Sequence, residues 1–573
     1  MKIFAPVSIE TQRLLPRSWD ILAAIFVFGL IILAAEASRE LVEPITRVAR
    51  RGVSLDPAGL PNYAFRTALR MLVAMVFSLI FTFTYATWAA KSKRAGMLLI
   101  PLLDILQSVP ILGFISVTVV FFMSLAPGRI LGAEFAAVFA IFTSQAWNMA
   151  FSFYQSLRTA PVELTEAAQT FGLSAWARFW RVEAPFALPP LVWNMMMSMS
   201  GGWFFVVAAE AISVGPTSIA LPGIGSYIAT AIAAKSLTAI AWAIGAMLVV
   251  ILIFDQLLFR PLVAWAERFR IDAEPGDEEA SSWALTMYRR SKLLDWLSHP
   301  FDRLMHWSWR LKPLSFGTSG VRHKPSRLWD LVWYGALTAL GAIVTLHVVR
   351  FAGSALTGHE LLDASLRGLA TMTRVLVLIA LASLIWTPIG IYVGLRPHLA
   401  RVIQPVAQFL AAFPANLVFP VAVSLIVAWK LNPDIWLSPL MVLGTQWYIL
   451  FNVIAGASAL PHELRDAASN FQVKGWLWWK TVGLPAVMPY YVTGAITASG
   501  GSWNAAIVAE VVSWGDKTLH AYGLGAYIAD ATTRGDFPRI VIGIFVMCFF
   551  VVIVNRLFWR PLYWYAERKF RLG

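Results

Sequence analysis

Two segments of the chain, 300 residues apart, place an acidic residue before two alanines. The residues concerned are Glu166, Ala167, Ala168, Asp466, Ala467 and Ala468. Each acid is expected near the start of a short helix, where a negative charge is favoured. The alanines remove side-chain bulk, so another protein could approach the helix backbone. The pattern therefore predicts a docking surface rather than a bond-making site.

Each of these segments ends at a proline that can occupy the first turn of a membrane helix. Gly172 would permit a turn, whereas Gln472 takes the same place in the second copy, which predicts an altered turn and a non-equivalent contact there. Pro185 and Pro485 suit the first turn of the next helix. We call 166–185 and 466–485 the first and second acidic segments. An ordinary amphipathic loop helix capped by an acid is the alternative interpretation.

Residues for catalysis are not found in the sequence. No Gly-Lys dipeptide occurs, so the chain lacks a phosphate-binding loop of the G-x-x-x-x-G-K-[ST] type. The eight histidines are scattered, and Cys548 is the only cysteine. We therefore predict no catalytic residues, no metal site and no cofactor within this chain.

The composition indicates a membrane protein. Hydrophobic residues make up 58% of the chain and charged residues only 14%, against about 25% charged in soluble domains. A spanning helix needs roughly 20 mostly apolar residues. Apolar runs predict an all-α fold of about twelve helices, at 19–35, 64–90, 97–125, 133–157, 185–210, 236–258, 328–351, 366–394, 401–428, 436–456, 485–511 and 537–558.

The two halves of the chain repeat each other. From Trp147 onwards the residues match at an offset of 300, and upstream Arg70 matches Arg374 at an offset of 304. Matched pairs include Trp147/Trp447, Pro161/Pro461, Trp203/Trp503, Glu210/Glu510 and Gly223/Gly523. Six helices per half leave the halves in the same orientation, so we expect a pseudo-twofold axis along the membrane normal.

Charges and the repeat predict how the chain is organised. The stretch between 260 and 327 contains twelve Lys and Arg and eight Asp and Glu. Because positively charged loops tend to lie on the cytoplasmic side, we expect this stretch and both termini in the cytoplasm. This topology explains much of the net charge of +14 without nucleic acid. The predicted units are 1–63 (first helix and outer loop), 64–270 (first repeated domain), 271–326 (cytoplasmic linker with an amphipathic segment), 327–365 (first helix of the second half and outer loop) and 366–573 (second repeated domain).

The acidic segments resemble the signature of the inner-membrane permeases of type I ABC importers. That signature is an acidic residue, two alanines, three residues, Gly, nine residues and an aliphatic-x-Leu-Pro ending. The first copy departs from it at Ala184, and the second at Asp466 and Gln472. The resemblance implies that each segment docks on one of two separate ABC ATPase subunits, which hold ATP and Mg²⁺. It also implies a periplasmic or lipoprotein substrate-binding protein and a location in the bacterial inner membrane.

A narrower resemblance comes from the residues around Trp203, Glu210 and 222–225, from the ending Arg260–Arg268, and from their copies. These are similar to the nitrate, sulfonate and taurine branch of such permeases, which includes bicarbonate-type transporters. The resemblance covers about 64–270 and 366–571. It implies uptake of a small anion.

Three pairs are candidates for the pathway or its gate. Arg70 and Arg374 could attract an anion, or they could snorkel to the interface. Glu210 and Glu510 are expected to hold the Gly-containing segments that follow them, with gating as the alternative. Trp203 and Trp503 could close the path between the halves, or they could be core residues.

Two other function classes were weighed. An ion-coupled secondary transporter would need buried coupling carboxylates and would have no use for two matched docking segments. An integral membrane enzyme would need clustered catalytic residues, which the sequence lacks. The favoured prediction is an importer permease that works by alternating access.

Overall fold

The computed structural model describes residues 52–108, 111–214, 217–269, 282–310, 327–353 and 357–570, together with 24, 29 and 44. The predicted helix at 19–35 therefore lies almost wholly outside the described residues. What is described is nearly all helical, and the all-α prediction is confirmed.

The first half consists of long helices joined by short ones. Its helices are Leu60–Phe81, Thr87–Lys91, Lys93–Ser108, Ile111–Leu125, Ile130–Thr159, Val162–Thr170, Ala175–Arg178, Ala184–Glu210, Ile224–Ala233, Leu237–Phe254 and Arg260–Ala266. The linker contributes Trp283–Arg290 and Lys292–Arg310.

The second half repeats this order after one long helix, Arg327–Ala352, and its helix Gly358–Gly394 corresponds to the one that begins at Leu60. Its helices are Arg327–Ala352, Gly358–Gly394, Pro397–Ala412, Phe419–Ala428, Pro433–Trp436, Trp447–Ser458, His462–Asn470, Gly475–Trp478, Leu484–Ala509, Leu524–Arg534, Phe537–Val554 and Arg560–Phe570. Wide helical turns of π type, at Phe179–Glu183 and Trp479–Gly483 and again at Asp255–Phe259 and Asn555–Trp559, recur at the 300-residue offset.

A short antiparallel hairpin follows the long helix at the end of each acidic segment. Ala211–Val214 pairs with Thr217–Ala220 in the first hairpin, and Val511–Trp514 pairs with Lys517–His520 in the second. The sequence analysis did not predict these strands. A helix of 26 or 27 residues is about 40 Å long at 1.5 Å per residue, so each hairpin lies at the opposite end of its helix from the acidic segment.

Within the described part of the chain, fewer helices meet the length and hydropathy of a membrane span than the sequence predicted. Among the described residues, seven helices are long and apolar enough to span a membrane, or eight if the pair Val406–Ala412 and Ala415–Ala428, bent by 72°, is one span. The count of twelve is therefore not confirmed.

The run 97–125 is described as the helices Lys93–Ser108 and Ile111–Leu125, and 109–110 lie outside the described residues. The predicted helix at 436–456 is interrupted. The run 436–456 holds only helical turns up to Met441 and a 12-residue helix from Trp447. Pro439 cannot donate a backbone hydrogen bond and Gly444 disfavours helix. The first half has Phe139 and Ser144 at the matching positions, and its helix Ile130–Thr159 is continuous.

The core joins the two halves. One buried cluster combines first-half residues such as Ile115 and Ala137 with second-half residues such as Val453 and Trp503. A second cluster lies mainly in the first half and includes Trp203, but it also contains Leu417. The linker helix Trp283–Arg290 packs on the first half, where the Tyr288 hydroxyl donates to the Leu257 carbonyl at 2.7 Å.

Candidate functional site

The two acidic segments adopt the same backbone. Val162–Thr170 and His462–Asn470 are nine-residue helices that both follow a proline. Glu166 and Asp466 are the fifth residue of each helix, so the expectation that they lie near its start is wrong; Glu163 and Glu463 occupy the first turn. Both Glu166 and Asp466 are nevertheless exposed.

The alanines of the acidic segments face in different directions. Ala168 and Ala468 are buried against the rest of the chain, at 3% and 7% exposure, whereas Ala167 is exposed and Ala467 is half-buried. Only the first alanine of each pair is therefore open to another protein.

The turn that ends each short helix is the same in both copies. Gly172 has φ +66° and Gln472 has φ +52°, so both are in the left-handed region. The amide of Gly172 donates to Gln169 O at 2.9 Å, and that of Gln472 donates to Ser469 O at 3.0 Å. The altered turn that the sequence predicted at Gln472 is therefore wrong. Gln472 adopts the glycine conformation at a steric cost.

An exposed aromatic residue follows each short helix. Phe171 is 83% exposed and Phe471 is 82% exposed. Large apolar side chains this exposed at equivalent points of a repeat are typical of an interaction surface. In the sequence, the two phenylalanines are a matched pair of the repeat and carry no predicted role.

The acidic segments differ in how they are attached. In the first, the Glu183 carboxylate forms an ion pair with Lys91 at 2.6 Å and accepts a hydrogen bond from Arg178 at 3.0 Å. In the second, Gly483 takes the place of Glu183, and a Cβ there would collide with the Trp478 ring. The first segment is thus tied to the end of the helix Thr87–Lys91 by an ion pair that its copy lacks.

At the other end of the long helices, Arg70 is at the centre of a buried ionic network. Its guanidinium forms two 2.6 Å bonds with the Glu134 carboxylate and one of 2.6 Å with Glu210. Arg70 is 5% exposed and Glu210 fully buried. The Thr67 hydroxyl donates to Glu210 at 2.7 Å and accepts from the amide of Ile224 at 3.0 Å. We call Thr67, Arg70, Glu134 and Glu210 the first ionic cluster.

The second half repeats this arrangement more loosely. Arg374 donates to Glu510 at 3.1 Å and to Asp434 at 3.0 Å, and the Thr371 hydroxyl donates to Glu510 at 2.8 Å. The Asp434 side chain is 50% exposed. We call Thr371, Arg374, Asp434 and Glu510 the second ionic cluster.

The clusters hold the segments after the hairpins. Glu210 accepts from the amide of Gly225 at 2.6 Å, and Glu510 accepts from the amide of Ala526 at 3.1 Å. A Cβ on Gly223 or Gly523 would overlap the carboxylate it faces. These contacts match the expected holding role of Glu210 and Glu510. Because each arginine charge is offset by two carboxylates, its attraction for an anion is reduced; the pathway roles of these residues stay predictions.

Glu134 and Asp434 were missed by the sequence analysis. They are related by the same 300-residue offset as the residues that were found. A search of the aligned halves for paired ionisable residues would have identified them.

The two candidate tryptophans lie in different surroundings. Both are 2% exposed. Trp203 packs edge-on against Phe254, with ring centroids 5.1 Å apart, whereas Trp503 lines a cavity of about 260 Å³ between the halves. The described residues that line this cavity are uncharged.

Comparison with known proteins adds the family. The model of the "binding-protein-dependent transport system inner membrane component" family matches residues 83–265 and 386–571. The bicarbonate transport system permease protein CmpB of Synechococcus elongatus is 30% identical over 176 residues, which are 31% of this chain and 60% of that protein.

Two further relatives are more distant. The nitrate import permease protein NrtB of Leptolyngbya laminosa is 24% identical, over 33% of this chain and 64% of its own length. The glycine betaine/proline betaine transport system permease protein ProW of Escherichia coli is 25% identical, over 30% of this chain and 47% of its own length. Each match spans less than two thirds of the relative.

Proposed function

This chain belongs to the family of binding-protein-dependent transport system inner membrane components, and we propose that it is the complete transmembrane part of an ATP-driven importer of a small anion. The family matches twice, in tandem. One chain then supplies both permease halves, which most simply work by alternating access around the path between them.

The observation that carries this proposal is the pair of acidic segments. Two exposed nine-residue helices share one turn geometry and each ends at an exposed phenylalanine. A secondary transporter has no use for such paired docking surfaces. The buried carboxylates that it would need for ion coupling are present as Glu210 and Glu510, but both are paired with arginine.

The partners follow from this assignment. Two ABC ATPase subunits dock on the cytoplasmic side, one on each acidic segment, and they hold the ATP and Mg²⁺ that drive transport. A periplasmic or lipoprotein substrate-binding protein delivers the anion at the hairpin end. The chain crosses the inner membrane several times with both termini in the cytoplasm, and it has no catalytic role itself.

A charge-reversal experiment tests the coupling. The double variant Glu166→Lys with Asp466→Lys should no longer retain the cognate ATPase subunits during purification, and uptake should stop. Asp363→Lys with Asp530→Lys is a control with the same change in charge, remote from the acidic segments. Full uptake in the first double variant would contradict the importer assignment.

The class of substrate needs a separate test. The relatives are named for bicarbonate and nitrate, which supports a small anion. A thermal-shift screen of the cognate substrate-binding protein against nitrate, bicarbonate, sulfonates and aromatic carboxylates would identify it. Stabilisation by none of these anions would contradict the anion proposal.

A further inference from the structure

The linker between the halves starts at the end of the membrane domain that carries the acidic segments. The spanning helix Leu237–Phe254 begins beside Lys235, which contacts Asp516 at the tip of the second hairpin. The helix therefore runs away from the hairpin end. After it, Val263 borders the same groove as Thr159, which comes shortly before the first acidic segment. In the proposed topology, the linker thus starts where this spanning helix reaches the cytoplasm.

The first linker helix, Trp283–Arg290, is held against that end. The Tyr288 hydroxyl donates to the Leu257 carbonyl at 2.7 Å, and Trp283 Nε1 donates to the Gln256 side chain at 3.3 Å. Its buried residues are Ala284, Leu285 and Met287. Gln256 and Leu257 belong to the wide turn that follows the spanning helix. The first linker helix is therefore fixed at the level where the bilayer meets the cytoplasm.

The second linker helix, Lys292–Arg310, exposes large apolar side chains. Trp296 is 73% exposed, Leu304 60% and Trp307 58%. Trp296 and Trp307 are eleven residues apart, which is about three helical turns, and Leu304 lies about one turn before Trp307. The three side chains therefore share one face of the helix. Exposed apolar residues grouped in this way are typical of an interaction surface.

Basic residues border this apolar face. Lys292 and Arg303 are exposed, and each comes four residues before one of the two tryptophans, so each is a neighbour of that tryptophan on the helix surface. The stretch 283–310 contains five Lys and Arg and two Asp. The cytoplasmic surface of a bilayer is negative and attracts such basic segments. The charge of the linker helices is thus complementary to that surface.

A protein partner fits this face less well than a bilayer does. Lysine is depleted in protein interfaces, whereas Lys and Arg beside Trp and Leu are typical of helices that lie in the lipid interface. Only Ser291 separates the second linker helix from the first. Because the first is fixed at the edge of the membrane, the second lies within reach of the same bilayer.

We infer that the helix Lys292–Arg310 binds the surface of the membrane that the chain spans, and that it prefers anionic lipids. Trp296, Leu304 and Trp307 enter the interfacial layer, while Lys292 and Arg303 lie at the level of the headgroup phosphates. This contact makes the linker respond to lipid charge and ionic strength. The inference goes beyond the proposed function and does not depend on the transported substrate.

Spin labels on the full-length chain in lipid nanodiscs test this inference. Leu304→Cys and His299→Cys are each made in a Cys548→Ser background, because Cys548 is the only native cysteine. His299 is exposed and lies roughly 140° around the helix from Leu304. Label accessibility to oxygen and to a neutral nickel chelate reports its depth in the bilayer. With phosphatidylglycerol added to phosphatidylcholine, the label at 304 should become shielded from nickel, and the label at 299 should not.

Paired substitutions separate charge from packing. Lys292→Gln with Arg303→Gln should lower the ratio of immersed to free helix about 30-fold at low salt, since each basic residue contributes about fivefold near an anionic surface. Lys292→Arg with Arg303→Lys keeps both charges and should leave that ratio unchanged. Nickel accessibility of the label at 304 in anionic nanodiscs, equal immersion in both lipid compositions, or shielding only after addition of the ATPase subunits would overturn the inference.

Discussion

At the scale of single residues, the ionic clusters show how a charge can be kept inside a membrane domain. Arg70 is surrounded by two carboxylates and is 5% exposed, whereas Arg374 is 15% exposed and one of its partners, Asp434, reaches solvent. Removal of one partner from a buried ion pair leaves an uncompensated charge, and this costs more than the pair itself contributes. Loss of Arg70 should therefore destabilise the protein more than loss of Arg374.

Arg70→Ala should lower the free energy of unfolding by about 3–5 kcal/mol, because Glu210 and Glu134 would lose their counter-charge. Arg374→Ala should lower the free energy of unfolding by less, since water can solvate Asp434. Arg367→Ala removes a half-exposed pair with Asp363 and should cost no more than about 1 kcal/mol. Denaturation of the three variants in nanodiscs measures the order, and equal losses for Arg70 and Arg374 would contradict this explanation.

Gly223 is required for steric reasons. Its φ of 178° is accessible to any residue, but a Cβ would overlap the Glu210 carboxylate. Gly223→Ala should therefore cost about 1–3 kcal/mol, as for overpacked cores. Gly245→Ala is the matched control, because its Cβ would meet nothing within 4 Å and alanine favours helix. A thermal shift equal to that of the control would exclude the proposed overlap.

At the scale of elements, the two turns of the acidic segments show that one backbone can be specified by different residues. A left-handed conformation costs Gln472 roughly 1–2 kcal/mol, while glycine loses about 0.5–1 kcal/mol more conformational entropy on folding. These terms oppose each other. The surrounding structure can therefore keep the turn with either residue.

Exchange of the two turn residues should consequently change little. Gly172→Gln and Gln472→Gly are each expected to shift stability by less than about 1.5 kcal/mol, the largest difference between those opposing terms. Both variants should still retain the ATPase subunits. Gly172→Val puts a β-branched residue into the left-handed region, so it should destabilise the protein more than either exchange. Loss of ATPase binding in Gln472→Gly would show that the side chain, not the turn, makes the contact.

The helical elements also show where sequence reasoning works and where it stops. Apolar runs without interruption, such as 237–254 and 537–554, were placed within a few residues because local hydrophobicity determines them. The interruption at Met441–Trp447 was missed, although Pro439 and Gly444 are signals that could have predicted it. The repeat itself obscured that signal, since the first half is continuous there.

Only part of the candidate site could be predicted, because some of its contacts depend on tertiary packing and not on local sequence. The acidic segments could be located because their spacing recurs twice, and the ionic clusters only in part, because their partners come from three different helices. Which carboxylate faces Arg70 depends on tertiary packing. The hairpins were not predicted, since strands of four residues carry too short a pattern of alternation to recognise.

At the scale of the whole molecule, the second hairpin joins the two halves. The tip of the second hairpin reaches the first half, where the amide of Gly515 donates to Ile232 O at 3.1 Å. Lys235 donates to Asp516 at 2.7 Å. At the matching positions the first hairpin has Pro216 and the second half has Gly535, so the equivalent ion pair cannot form. The Lys235–Asp516 ion pair is therefore specific to the second hairpin.

The Lys235–Asp516 contact can be captured chemically. Carbodiimide treatment of the intact chain should link the two side chains, and mass spectrometry of the digest should detect the joined peptides. Lys235→Arg keeps the charge but should abolish the link, because a guanidinium does not form the amide. Absence of the link in the unmodified chain would contradict the bridged arrangement of the halves.

The pH dependence of the same bridge has a defined sign. The hydrogen bond and charge of Lys235 hold the pKa of Asp516 below its usual value. A carboxylate with a lowered pKa stabilises the folded state above its unfolded pKa, and that contribution is lost as the pH falls through the folded value. The side chains of Lys235 and Asp516 are both exposed, so the effect of this ion pair on global stability should be small. The protection factor of the Gly515 amide, its exchange rate relative to that of an unfolded chain at the same pH, should therefore fall only below the usual titration range of aspartate in the unmodified chain. In Asp516→Asn it should already be lower at neutral pH, and identical protection factors in the two proteins at every pH would exclude an ionic contribution to the bridge.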